Sequence, residues 1–225
     1  MNSLQKHAEL AEHPRQRLQE RRGALLCDDP VLLEECFRLR YGYFVQERGW
    51  VPEDIAVPGL ERDGYDEHCL HLGVWDDHGV AAYLRVLPFE PLVGFMLDRE
   101  LSCVLSHEER EALPREGAVE LSRLVVRPDV ASGRDDGGVH PVEEVFKALY
   151  RASKERGFSR FYVVVEQGWL RPFAHRFGVP FRVLGTPHVF PDGTKTVAGV
   201  ATLEEFEAGV RRHSQTKYAW YQEGG

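Results

Sequence analysis

The sequence predicts a mixed α/β protein built around one sheet. Segments with strand periodicity alternate along the chain with segments of helical periodicity, which is typical of helices packed on a sheet. The strand-like residues 119–126 and the apolar run 161–165 are separated by a helix predicted over 141–156. With 43% hydrophobic residues in 225, the chain can bury one substantial core. We therefore expect a single domain over residues 23–225, preceded by a charged arm at residues 1–22.

The first half of the chain predicts a strand, a helix and a hairpin. A short strand is expected at residues 23–27. The pair Asp29-Pro30 suits the N-cap and first position of a helix that runs to about Val45. Residues 68–75 and 79–87 then read as the two strands of a hairpin.

The second half predicts further alternation of helices and strands. Ser106 followed by Glu109 forms a capping-box pattern at the start of a short acidic helix. The run 161–165 is short and wholly apolar, as in strands buried on both faces. Two more strands are expected at residues 181–184 and 195–201.

The composition excludes several classes of protein. With a formal net charge of −8, the chain lacks the basic surface that nucleic-acid binding needs. No apolar run reaches the roughly 18 residues of a membrane-spanning helix. The amino end also has no apolar stretch long enough for a secretory signal. We therefore expect a cytoplasmic protein without a membrane span and without nucleic-acid partners.

The cysteines and histidines predict neither disulfides nor a metal site. The four cysteines are far apart and form no Cys-x-x-Cys pair, so we interpret them as reduced core residues: Cys27, Cys36, Cys69 and Cys103. The nearest approach to a metal cluster is a strand-like group, His68, Cys69, His71 and His78. Such residues are common in half-buried strands, and a structural role is favoured over a metal site. We expect no metal and no bound cofactor.

An arginine lies within the apolar stripe of the first predicted helix. Leu33, Phe37, Arg40 and Phe44 are spaced by four, three and four residues, so they share one face. A guanidinium there is costly unless an acid pairs with it or it reaches a ligand anion. The alternative is that the side chain of Arg40 extends from the edge of the stripe to solvent.

Acids that could answer such an arginine lie in the long loop 46–67. Glu61, Asp63 and Asp66 fall within six residues, and carboxylates this close require cations, a metal or an ammonium-bearing substrate. The loop lacks the helix-flanked twelve residues and central glycine of a calcium site. A solvated acidic loop remains the alternative.

Two further arginines, Arg85 and Arg123, lie in segments expected to be buried strands. With the acids they predict a charged pocket or a buried ionic network, and ion pairs that only join loop to sheet remain open. Strand alternation places Glu120 and Ser122 on one face, where the carboxylate could take a proton from an attacking amine. A bulge would be needed to turn Arg123 to that face.

Six short motifs occur in an order and spacing that resemble acyl-homoserine-lactone synthases. They are Arg40-x-x-x-Phe44, Trp50, Glu61-x-Asp63-x-x-Asp66, Arg85 in Arg-Val-Leu-Pro, Phe95 before Met-Leu, and Glu120-x-Ser122-Arg123. The resemblance covers about residues 31–203 and places the chain in the Gcn5-related N-acyltransferase (GNAT) superfamily. It implies a mixed twisted sheet with a V-shaped cleft between two central strands and helices on both faces.

The resemblance also implies an activity and roles for these residues. Members take an acyl chain from acyl carrier protein, or occasionally from coenzyme A, and join it to the amine of S-adenosylmethionine, giving a quorum-sensing lactone. Catalysis would fall to Glu120, Ser122, Arg123 and Glu61. Substrate binding would fall to Arg40, Phe44, Trp50, Asp63, Asp66, Arg85 and Phe95.

Two departures from the pattern keep other functions open. The interval from Trp50 to Glu61 is long. The sequence around Glu61 is closer to that of exosortase-associated acyltransferases or N-acyl amino acid synthases, which use other amine acceptors. A catalytically inactive binding module on the same fold is a further alternative. Residues 131–134 match only poorly the Gly-rich loop that binds the pyrophosphate of coenzyme A. That favours a carrier-protein donor.

An acidic carrier protein would need a local basic surface on this acidic chain. Lys147, Arg151 and Lys154 are spaced by four and three residues on one helix face, away from its apolar stripe. We expect these three residues to dock the carrier protein, although an ordinary solvated helix face would look the same.

Overall fold

The computed structural model describes residues 24–53, 57–131 and 139–223, so the charged arm at residues 1–22 lies outside the described part. The strands are β1 (Ala24–Leu26), β2 (Leu70–Asp76), β3 (Gly79–Pro88), β4 (Ala118–Val126), β5 (Arg160–Glu166), β6 (Arg182–Val189) and β7 (Lys195–Thr202). The α-helices are α1 (Pro30–Arg40), α2 (His107–Glu111), α3 (Pro141–Arg156), α4 (Gln167–Phe177), α5 (Leu203–His213) and α6 (Gln215–Gln222). The mixed α/β class predicted from the sequence is confirmed.

The chain divides into two compact units, each assembled from separate stretches. The first comprises Met1–Arg62, His71–Tyr83 and Val125–Val145. The second comprises Asp63–Leu70, Leu84–Leu124 and Phe146–Gly225. The single domain expected over residues 23–225 stays a prediction. No helix in the described ranges has both the length and the apolar character needed to cross a membrane.

In the first unit, the strand order is β1-β2-β3, with β1 antiparallel to β2. Helix α1 begins as predicted, because the Asp29 side chain accepts a hydrogen bond from the Val31 amide at 2.8 Å. The predicted helix reaches the expected length but not with one geometry, since residues Tyr41–Glu47 form a π-helix. Tyr41, Phe44 and Val45 are buried in this segment.

In the second unit, the strand order is β3-β4-β5-β7-β6. Strands β4 and β5 are parallel, and their pairing ends at Leu121 opposite Val163 although both strands continue. They therefore separate beyond this pair, which produces the V-shaped opening that the resemblance implies. The expectation that residues 161–165 are buried on both faces is wrong for Val164 and Val165, which are half-buried because they lie beyond the paired part.

The core of the second unit lies around the turn between β3 and β4. Buried Phe95, Leu97 and Tyr162 belong to one apolar cluster. The predicted capping box of α2 is present, with Ser106 and Glu109 exchanging backbone-to-side-chain hydrogen bonds. Among the cysteines, Cys27 and Cys36 are buried, but the expectation of a core position is wrong for Cys103, which is exposed in a short 3-10 turn.

Candidate active site

Arg85 on β3 is the centre of a charged group in the second unit. Its guanidinium is fully buried, and its Nη1 donates to Asp63 at 2.7 Å and to Asp66 at 3.0 Å. Its Nε donates to the hydroxyl of Ser122 at 2.9 Å, and its Nη2 points to the sulfur of Met96 at 2.9 Å. Two carboxylates therefore compensate one buried cation, which is the condition for burying it at acceptable cost.

A backbone irregularity turns Arg123 toward the same group. Regular alternation would place Ser122 and Arg123 on opposite faces of β4. Arg123 instead has φ of 56°, the left-handed region that few non-glycine residues adopt. Its Nη2 donates to Asp63 at 3.2 Å, so Asp63 bridges two arginines. The sequence analysis required a departure from regular strand geometry for this arrangement, and the left-handed backbone of Arg123 provides it.

Glu120 lies one strand position before the end of the β4–β5 pairing and is 1% exposed. One carboxylate oxygen accepts the Met96 amide at 2.6 Å, and the Leu97 amide also donates to this group. Burial raises the pKa of Glu120 to about 7, against the lowering effect of the two amides and Arg85. A carboxylate with a pKa near neutrality is well matched to accept a proton from an amine at physiological pH.

A second ion pair lies in the first unit. Arg40 is 0% exposed, and its Nε donates to Glu61 at 2.5 Å while its Nη1 contacts the Tyr83 hydroxyl at 3.3 Å. The sequence required an acidic partner for Arg40, and Glu61 is that partner. The alternative in which Arg40 extends to solvent is wrong, because the Phe37 ring and Tyr83 enclose the guanidinium.

Aromatic side chains lie near this ion pair in the sequence and form a group of their own. Phe44 is buried, whereas Trp50 is 46% exposed, with ring centroids 6.0 Å apart. The Arg48 guanidinium lies over the rings of Tyr43 and Trp50, at 5.3 and 4.9 Å from their centroids. The exposed indole gives this unit an aromatic surface that can receive a cation.

Phe95 occupies a different position from the other predicted substrate-binding residues. Its ring is 0% exposed and packs against Phe89 and Tyr162 in the core. Its connection with the site therefore runs through the main chain of the residues that follow it, Met96 and Leu97.

Several residues of these groups were not predicted from the sequence. The Tyr83 hydroxyl contacts both Arg40 and the Nδ1 of His71, the latter at 2.6 Å. The signal for Tyr83 was a buried hydroxyl in a strand whose only charged residue is Arg85. Met96 and Leu97 act through their amides, which leave no signal in residue type.

The three acids of the loop differ in their freedom to meet a substrate. The Glu61 side chain is 2% exposed, that of Asp66 is 7% exposed, and that of Asp63 is 28% exposed. Asp63 and Asp66 each accept from Arg85, and Glu61 accepts from Arg40. Asp63 is thus the carboxylate most open to an ammonium group.

We expect Asp63→Asn to lower the free energy of unfolding by about 1–3 kcal/mol, because a buried and a half-buried arginine both lose one charged partner. The measurement is urea denaturation at neutral pH. Glu34→Gln is the matched control, since Glu34 forms an exposed pair with Arg38 four residues away and should cost at most about 0.5 kcal/mol. Equal, small effects for both variants would mean that the bridge contributes nothing.

The domain class follows from comparison with known families. Residues 39–136 match the acetyltransferase (GNAT) domain family. This match includes both arginine-carboxylate groups and Glu120. This match identifies the chain as an acyltransferase.

Solved structures narrow the similarity. The chain is similar to the CoA-dependent acyl-homoserine lactone synthase BjaI, solved with S-adenosylmethionine and isopentyl-CoA, at 22% identity and a TM-score of 0.63 over 88% of this chain and 97% of that one. The chain is 25% identical to the CoA-dependent acyl-homoserine lactone synthase MesI, with a TM-score of 0.61 over 87% of this chain and 90% of that one. It is 11% identical to FeeM, an N-acyl amino acid synthase from uncultured soil microbes, with a TM-score of 0.60 over 83% of this chain and 92% of that one. The resemblance to acyl-homoserine-lactone synthases within the GNAT superfamily is confirmed.

Proposed function

We propose that this chain transfers a fatty-acyl group from acyl carrier protein to the amine of S-adenosylmethionine and so makes an acyl-homoserine lactone in the cytoplasm. The observation that carries the proposal is Glu120, a buried carboxylate held by two main-chain amides where β4 and β5 begin to separate. The ordered motifs and the similarity to BjaI, which was solved with S-adenosylmethionine, support the choice of acceptor.

The transfer itself needs a base. The amine nitrogen attacks the thioester carbon, and its proton passes to Glu120 directly or through one water. Collapse of the tetrahedral adduct forms the amide bond and breaks the C–S bond, and the thiolate takes up the proton. In the second step, a carboxylate oxygen of the acylated S-adenosylmethionine attacks its own γ-carbon. The lactone closes and methylthioadenosine leaves with the bonding electron pair.

The acceptor carries an ammonium group, which suits an acidic side chain. Asp63 offers this group the most exposed of the three loop carboxylates. The resemblance assigns Arg40 to substrate binding and Glu61 to catalysis, but the buried pair that they form suits a role in positioning neighbouring main chain. The Glu61 amide donates to the carbonyl of Phe37, so the ion pair fastens the acidic loop to α1.

The donor is proposed to be the carrier protein because the start of α3 is a poor site for the pyrophosphate of coenzyme A. Pro141 has no amide hydrogen, the Val142 amide donates to the His140 ring, and the amides of Glu143 and Glu144 donate to the His140 carbonyl. Two carboxylates also lie in this first turn, where an anion would be repelled. Against this stands the CoA dependence of BjaI and MesI.

The predicted docking residues are engaged within the second unit. Lys147 lies over the ring of Trp220, with its Nζ 4.2 Å from the centroid. Arg151 donates to the Glu223 carbonyl at 2.6 Å, and Lys154 pairs with Glu207 at 3.1 Å. Docking would therefore have to compete with these contacts.

We expect Lys147→Glu/Arg151→Glu to raise KM for an acyl carrier protein donor by about tenfold. The wild-type basic side chains would attract the acidic partner, whereas glutamates at these positions would repel it. KM for an acyl-pantetheine lacking the protein should stay unchanged, which separates docking from folding. Arg182→Glu/Lys195→Glu, at exposed positions of β6 and β7, is the charge-matched control. Equal KM values for the carrier-protein donor in all variants would remove the docking role.

An N-acyl amino acid synthase is the second candidate. FeeM has this fold, and the Arg48 guanidinium beside Trp50 could receive the carboxylate of an amino acid. The exosortase-associated alternative shares this class of reaction.

Mass spectrometry of reaction products tests the proposal. Purified protein is incubated with acyl carrier protein donors and S-adenosylmethionine, with coenzyme A donors and with amino acids in parallel. The proposal predicts stoichiometric methylthioadenosine and acyl lactone with the carrier-protein donor. Acylated amino acid without methylthioadenosine would contradict it and select the second candidate.

A further inference from the structure

Next to the turn that contacts Glu120 lies an ion pair, Asp98 with Arg115, that the proposed reaction does not use. The turn Met96–Asp98 supplies the two amides that reach Glu120. Asp98 closes this turn, because its Oδ2 accepts the Phe95 amide at 3.0 Å. The position of the two amides therefore depends on where Asp98 is held.

Arg115 holds Asp98 from the segment that precedes β4. Its Nη1 and Nη2 donate to the two carboxylate oxygens at 3.0 and 2.6 Å, a bidentate geometry. The same guanidinium lies 5.1 and 5.2 Å from the ring centroids of Phe89 and Phe95 and donates to the Arg110 carbonyl. Both side chains are less than one quarter exposed, so screening by solvent is limited.

We propose that Asp98 and Arg115 are a positioning pair that fixes the Met96–Asp98 turn against Glu120 and thereby orients the base of the acyl transfer. This inference rests on the proposed function for its catalytic meaning, but its structural part does not. Arg115 touches neither Glu120 nor substrate and acts only through Asp98 and the turn.

The electrostatics of the surroundings give the pair a measurable effect. The charged and titratable groups that face Glu120 are Arg85 on β3, Asp98 in the turn and Tyr65 in the acidic loop. Tyr162 on β5 is the register partner of Glu120. The charge of Asp98 raises the pKa of Glu120, whereas the turn amides lower it. Removing Arg115 leaves the charge of Asp98 uncompensated and loosens the turn that presents the two amides. Both consequences raise the pKa of Glu120.

Two substitutions should move the ionisation of Glu120 in opposite directions. Arg115→Gln should raise its pKa by about one pH unit, and Asp98→Asn, which keeps an oxygen for the Phe95 amide, should lower it. The experiment is carbon-13 NMR of protein labelled at the glutamate side-chain carboxyl, with Glu120→Gln to assign the resonance. Arg182→Gln, which breaks an exposed ion pair of β6, is the control. Arg115→Lys serves as the milder variant and should give a pKa between those of the wild type and Arg115→Gln.

A kinetic readout separates positioning from a general loss of structure. If acyl transfer follows the ionised fraction of Glu120, Arg115→Gln should lower kcat about fivefold at pH 7 and restore it near pH 9. An unchanged Glu120 titration in Arg115→Gln and Arg115→Lys would overturn the inference. The NMR titration needs no substrate, so a failure of the proposed acyl transfer would leave it interpretable.

Discussion

Replacing Glu120 by glutamine is expected to lower kcat/KM for acyl transfer by about 10²- to 10⁴-fold. Glutamine keeps the shape of the side chain and can still accept from the Met96 amide. It cannot take a proton from the attacking amine at any pH in the working range. The loss should fall mainly on kcat, because the side chain is buried among main-chain amides and is not a binding group for the ground state. Steady-state kinetics with thioester and amine substrates measures it.

Stability at alkaline pH separates this loss from unfolding. The pKa of Glu120 is raised from 4.5 to about 7 in the folded state, so its contribution to stability is complete below about 4.5 and is lost as pH rises through about 7. Above that pH the buried charge costs on the order of 3 kcal/mol. Glu120→Gln should therefore be more stable than the wild type at pH 8 while retaining only its small residual activity. Glu116→Gln, an exposed glutamate four residues earlier, is the control; wild-type turnover in Glu120→Gln would show that another group accepts the proton.

Replacing Arg40 by methionine is expected to lower the free energy of unfolding by about 3–5 kcal/mol. The substitution leaves the Glu61 carboxylate, 2% exposed, without its guanidinium partner. It also removes a contact of the Tyr83 hydroxyl. Chemical denaturation at neutral pH gives the change directly.

The double variant Arg40→Met/Glu61→Leu decides whether the unpaired charge causes the loss. Because it removes both charges, it should recover most of the stability that the single variant loses. A single-variant cost below about 1 kcal/mol, or a double variant no more stable than the single one, would contradict the description of a buried pair.

Much of the framework was predictable because it follows from residue periodicity. The run 119–126 alternates as a strand, and the helix over 141–156 carries a continuous apolar face, so β4 and α3 lie within one residue of their predicted bounds. Arg40 in an apolar stripe required an acid, and burial leaves few ways to satisfy that requirement.

What could not be predicted depends on main-chain geometry or on contacts distant in sequence. The left-handed backbone of Arg123 and the π-helix at Tyr41–Glu47 leave no mark in the residue pattern. The amides that hold Glu120 come from a turn 24 residues earlier. The helix face with Lys147 was expected to be free for a partner, yet Trp220 lies against it, and periodicity within one helix does not reveal what packs on it.

The most direct test of the account is the pH dependence of kcat/KM for acyl transfer in the wild type and in Glu120→Gln. The substrate amine titrates identically in both reactions, so the difference between the two profiles reports Glu120 alone. The account predicts that the wild-type profile contains an acid limb near pH 7, falling about tenfold per pH unit below it, and that this limb is missing from the residual activity of Glu120→Gln. A limb near pH 7 that persists in Glu120→Gln would contradict the assignment of the base.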